Sequence, residues 1–78
     1  MDEIDKDKVD PWLRRIVAGN VRRLREAKGL SQEKLSVECG FHRTYVSQVE
    51  RAVTNITIDN LQKLAEGLGA EPQILLTA

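Results

Sequence analysis

Between Leu30 and Glu50 the chain runs Leu-Ser-Gln-Glu-Lys-Leu-Ser-Val-Glu-Cys-Gly-Phe-His-Arg-Thr-Tyr-Val-Ser-Gln-Val-Glu. No other stretch constrains the fold as much. Ser31 suits a helix N-cap, with Gln32 and Glu33 in the turn behind it, and the pattern predicts a helix over residues 32–38. Leu35, Ser36 and Cys39 would face inward. Gly40 then supplies a turn that favours positive φ. His42 suits the cap of a second short helix, over about residues 43–51, whose Val46 and Val49 point to the core.

The flanks extend the same pattern. Asp10-Pro11 reads as a helix start, with Asp as N-cap and Pro at the first helical position. A first helix should run to Lys28, with Trp12, Ile16, Val17, Val21 and Leu24 near one stripe and Gly29 ending it. After a loop at 52–56, Thr57 caps a helix over about 58–67. Its stripe is Ile58, Leu61, Leu64, Ala65 and Leu68, and Gly67 and Gly69 close it. Glu71-Pro72 opens a last short helix ending in Ile74, Leu75 and Leu76. The fold class expected is all-α with five helices. Residues 1–10 are charged and aperiodic, an expected flexible acidic arm ahead of a single domain over residues 11–78.

Net charge is zero over the 78 residues, yet its distribution is uneven. Residues 11–51 hold nine bases against four acids, while residues 1–10 hold five acids against two bases. An anionic polymer responds to such a local basic patch within a Debye length rather than to the whole-chain sum. One cysteine, Cys39, excludes an intrachain disulfide and points to a reducing cytoplasm. One histidine makes a zinc cluster implausible, and no metal or cofactor is expected. There is no nucleophile–base pair and no phosphate-binding glycine loop, so the chain does not read as an enzyme. No apolar run approaches the ~18 residues of a membrane span.

The second short helix carries Arg43, Thr44, Ser47 and Gln48 on its polar side. A guanidinium can bond guanine O6 and N7 together, Thr can meet a thymine methyl, and Gln can bond adenine N6 and N7. These residues are therefore the expected base readers of double-stranded DNA. Gln32 sits at a helix amino end, where free N–H groups favour a phosphate, and should set register on the DNA backbone. His42, Tyr45, Arg51 and Asn55 complete the expected backbone contacts. Arg14, Arg15, Arg22 and Arg23 line the first helix, mostly as a solvated face.

Leu24-Arg25, Gly29-Leu30-Ser31-Gln32, Leu35, Gly40, Val46, Val49-Glu50 and Asn55 through Leu64 together resemble the helix-turn-helix of the lambda Cro/repressor-like, or XRE-like, family. The resemblance covers roughly residues 13–76 and implies a five-helix lambda repressor-like DNA-binding domain. Within it, Arg43-Thr44-Tyr45-Val46-Ser47, Val49-Glu50-Arg51 and Asn55-Ile56-Thr57-Ile58 look like the small controller proteins of restriction–modification systems. The resemblance further implies a partly buried ion pair between Arg25 and Glu50 and a homodimer interface built from Leu68, Ile74, Leu75 and Leu76. A two-fold dimer would bind an inverted-repeat operator, with recognition helices one DNA turn apart. The chain departs from many relatives at Ala52-Val53-Thr54, where a Gly and basic residues are common. The expected function is thus a cytoplasmic, homodimeric transcription regulator with no small-molecule ligand and RNA polymerase as a further candidate partner. A phage-type repressor or antitoxin-like regulator is the alternative, followed by a protein-interaction module that binds no DNA.

Overall fold

The computed structural model describes residues 9–78. Five helices follow in order: α1 Trp12–Ala27, α2 Gln32–Glu38, α3 Tyr45–Glu50, α4 Ile58–Leu68 and α5 Pro72–Leu75. No strand occurs among the described residues, so the all-α expectation is met. Most of the expected acidic arm, residues 1–8, lies outside the described residues.

The caps of α2 and α4 form as their sequences dictate. The Lys34 N–H donates to Ser31 Oγ at 2.9 Å, and the Asn60 N–H donates to Thr57 Oγ1 at 3.0 Å. Each such cap is worth ~1 kcal/mol. Gly40 takes φ +81°, the left-handed turn that separates α2 from α3.

Two boundaries differ from expectation. Pro11 stands at the cap of α1 rather than at its first helical position, and Asp10 makes no side-chain cap. The Asp10 carboxylate instead accepts a hydrogen bond from Arg15 Nη2 at 2.9 Å, and its backbone carbonyl takes the Trp12 N–H. A guanidinium within reach outbids a neutral amide for an ionised oxygen. Gly67 lies inside α4 and does not close it; the left-handed cap belongs to Gly69, at φ +66°. A Cβ at Gly67 would come within 2.5 Å of Cys39 Sγ. The missing side chain is what lets the end of α2 lie against α4.

The core unites Val17 and Val21 of α1, Leu35 of α2, Val46 and Val49 of α3, Leu64, Ala65 and Leu68 of α4, and Leu75 of α5. Full burial of each large aliphatic side chain is worth ~1.5–3 kcal/mol. Of the residues expected in a dimer interface, Leu68 and Leu75 are buried in the chain's own core, whereas Ile74 and Leu76 are each 42% exposed. Trp12 and Ile58 err the other way. They are 57% and 82% exposed, although the helical stripes put them in the core. Both stand at the first residue of their helices, beyond the edge of the layer that covers the rest of each stripe.

Two buried or half-buried polar side chains set helix positions. Asn20 Nδ2 donates to the carbonyls of Leu75 and Thr77 at 3.0 and 2.8 Å, clasping the chain end to α1. Ser36 Oγ donates to the Gln32 carbonyl at 2.8 Å and accepts the Val46 N–H at 3.0 Å. Val46 is in the first turn of α3, where backbone donors lack helical partners. Ser36→Ala would leave that buried donor unsatisfied, at a cost of ~1–3 kcal/mol in chemical denaturation. A loss within the scatter of exposed serine-to-alanine changes would refute this role.

Candidate nucleic-acid interface

α3 is only six residues long and presents Val46 and Val49 to the core. Arg43, Thr44 and Arg51 are exposed around it, and Ser47 and Gln48 are partly exposed along it. The helix begins two residues later than the sequence predicts. The Tyr45 N–H donates to the His42 carbonyl at 2.9 Å, which makes residues 42–45 a tight turn. His42 still acts as a cap of sorts: its Nδ1 accepts the Thr44 N–H at 3.2 Å and lies 2.9 Å from Thr44 Oγ1. Arg43 thus leaves the backbone from a braced turn, and it forms no ion pair among the described residues.

Tyr45 stacks its ring on Phe41, with centroids 4.2 Å apart. Its hydroxyl accepts from Asn60 Nδ2 at 3.1 Å, which leaves the phenolic proton for an outside acceptor. Arg51 Nε donates to the Ser47 carbonyl at 3.4 Å, so Arg51 lies one turn beyond Ser47. Asn55 is exposed and borders an apolar cleft lined by Trp12, Leu13, Ile58, Leu61 and Leu76.

Behind α3 lies an ionic hub. The Glu50 side chain is fully buried and the Arg25 side chain is 11% exposed. Arg25 grips the carboxylate in fork fashion, Nε to Oε2 at 2.6 Å and Nη2 to Oε1 at 3.0 Å. Its remaining Nη1 donates to the Leu30 carbonyl at 2.7 Å, so one guanidinium ties α1, the turn before α2 and α3 together. The predicted Arg25–Glu50 pair is present.

Sequence reasoning missed two further members of the hub. Arg22 Nε and Gln32 Nε2 both donate to Glu50 Oε1, at 3.1 and 2.9 Å. The signal for Arg22 was its i,i+3 spacing from Arg25. Gln32 carried none, because its partner is distant in sequence. One of the two Gln32 amide hydrogens is spent on Glu50, leaving the other for a phosphate. Burial alone would push the Glu50 carboxyl up. The hydrogen bonds from Arg25, Gln32 and Arg22 outweigh it and hold the group below its ordinary value.

Burial, with Glu38 beside it, pushes the Cys39 thiol up and away from the reactive thiolate. No group of His, Cys, Asp or Glu with metal-binding geometry occurs among the described residues. No helix among them is long and apolar enough to cross a membrane.

A family model described as Helix-turn-helix matches residues 21–75. The control protein C.BamHI of Bacillus amyloliquefaciens is 43% identical over 65 residues, spanning 82% of this chain and 80% of its own. The restriction-modification controller protein C.AhdI from Aeromonas hydrophila superposes with a TM-score of 0.78 at 42% identity, covering 83% of this chain and 94% of that one. The controller protein C.Esp1396I, solved as a tetramer in complex with its natural 35 base-pair operator, superposes with a TM-score of 0.75 at 31% identity. That match covers 82% of this chain and 84% of C.Esp1396I.

Proposed function

This chain belongs to the helix-turn-helix family, and we propose that it is a cytoplasmic, sequence-specific transcription regulator that binds a palindromic operator as a homodimer and controls a restriction–modification system. The observation that carries the reading is the row of donors that runs from the 42–45 turn along the outer side of α3. Arg43, Thr44, Ser47 and Gln48 face outward while the opposite side of the helix is locked into the core and the Glu50 hub. A braced helix presenting such groups has the chemistry to read base edges in a major groove. The spare proton of Tyr45, the second Gln32 amide hydrogen and the exposed Arg51 suit the phosphates alongside.

Arg43 is the principal base reader, with Thr44, Ser47 and Gln48 reading beside it. Its own concentration, acting through dimerisation and operator occupancy, is the control signal, and the chain performs no catalysis. The apolar face over Trp12, Leu13, Ile58, Ile74 and Leu76 is the surface for the second copy.

The decisive experiment uses a duplex selected from random sequence by the wild-type protein, with an unselected duplex as reference. Arg43→Ala should lose ~1–3 kcal/mol on the selected duplex and little on the unselected one. Equal losses on both would demote Arg43 to a phosphate contact. Failure of the wild type to bind either duplex at low salt would end the DNA reading.

A further inference from the structure

A second basic feature lies at the far end of the base-reading row. Between α1 and the end of α3 runs a cleft of about 320 Å³ lined by Arg15, Ala18, Gly19, Arg22, Glu50, Arg51 and Ala52. Its small residues, Ala18, Gly19 and Ala52, leave room between three guanidinium groups. A Cβ at Gly19 would meet nothing within 4 Å, so this wall stays open.

The charges around the cleft do not balance. Glu50 is the one carboxylate in its lining, and Arg25 already holds both of that group's oxygens. Arg22 shares Oε1 through Nε alone, which leaves its two terminal nitrogens unspent, and its side chain is 55% exposed. Arg51 has no ion pair among the described residues, and only its Nε is engaged, with a carbonyl. Arg15 is offset by Asp10 through one terminal nitrogen. Net positive charge therefore stands over a recess with free guanidinium donors. Planar forks of this kind match the geometry of a phosphate.

We propose that this cleft seats a backbone phosphate of the DNA beyond the end of the recognition helix, held by Arg15, Arg22 and Arg51. The inference rests on the DNA-binding reading and extends it to α1, which that reading leaves out. Continuity identifies the occupant. Arg51 lies one turn beyond Ser47 on α3, so the cleft adjoins the base-reading row at its far end. A phosphate there would fix the tilt of α3 without reading sequence.

The test compares wild type, Arg15→Gln and Arg51→Gln on the selected and unselected duplexes over a salt series. Both positions are exposed, so neither change threatens the fold; Arg22 is spared because it also braces Glu50. Each variant should reduce the steepness of log affinity against log salt by up to about 0.9 per bound protomer and weaken both duplexes alike, by up to about fivefold per protomer at 0.15 M salt. A neutral methylphosphonate placed at successive phosphates should weaken the wild type at one flanking position of each half-site and weaken the two variants less there. An unaltered salt slope, or a loss confined to the selected duplex, would overturn the proposal while leaving the DNA-binding reading intact. Inorganic phosphate at matched ionic strength serves as the control for a free-anion site. If it raises the melting temperature of wild type but not of Arg51→Gln, and the DNA slopes do not change, the cleft takes free anions and the proposal fails. Absence of wild-type binding to either duplex would remove the reading beneath it.

Discussion

Glu50→Gln should destabilise the domain by ~3–5 kcal/mol, because it leaves the Arg25 guanidinium buried without a counter-charge. Small domains are stable by only ~5–15 kcal/mol in total, so this one change takes a large share. At ~4–8 °C per kcal/mol for a domain of this size, the melting midpoint should fall by at least about 12 °C. Circular dichroism melts of the two proteins would measure it. A fall of under ~1 kcal/mol would mean that the pair behaves as an exposed one, against its burial. Replacing both partners, Arg25→Met with Glu50→Leu, should recover much of the stability, since no buried charge is then orphaned and Arg22, 55% exposed, keeps its hydration. It should not recover DNA affinity to the same extent, because the fork that orients α3 is gone.

The same carboxylate sets a pH dependence. Its folded pKa is depressed, so its contribution to stability is complete above the ordinary carboxyl value of about 4.5 and is lost as pH falls through the lower folded value. Wild type should therefore lose more stability than Glu50→Gln as pH falls below about 4.5. Parallel loss in the two proteins would assign acid sensitivity to other carboxylates.

Local chemistry was legible wherever it was decided by neighbours in sequence. Ser31 and Thr57 announce their helices because a hydroxyl three residues ahead of an amide suffices to cap it. Gly40 announces its turn because the left-handed region excludes most other residues. The start of α3 was less legible. His42 bonds the Thr44 amide through its ring, a competition between side chain and helix that propensity cannot weigh. Gln32 joined Glu50 unannounced because 18 positions separate them. The apolar stripes gave the faces of α1 and α4 but not how far along them the core extends. That is why Trp12 and Ile58 were assigned to the interior and emerge on the surface.

That misassignment has a functional consequence. Trp12, Leu13, Ile58 and Leu76 surround an apolar cleft of about 440 Å³ and are each at least 41% exposed. A monomer gains nothing by wetting a tryptophan and an isoleucine side by side, whereas a second copy would cover them. Leu68 and Leu75 are buried in the chain's own core and add nothing to this exposed face. Ile58→Asp should therefore convert a dimer to a monomer in sedimentation equilibrium. The protomer should keep its helical content, since the side chain replaced is 82% exposed. Two linked recognition helices bind with an effective concentration that one lacks, so affinity for a palindromic duplex should fall by about 10²–10⁴-fold. Affinity for an isolated half-site should hardly change. The two duplexes together separate loss of dimerisation from damage to the reading surface. If wild type itself sediments as a monomer and Ile58→Asp binds the palindrome equally well, the second copy does not dock on this face. The operator would then be read by protomers that meet elsewhere or not at all.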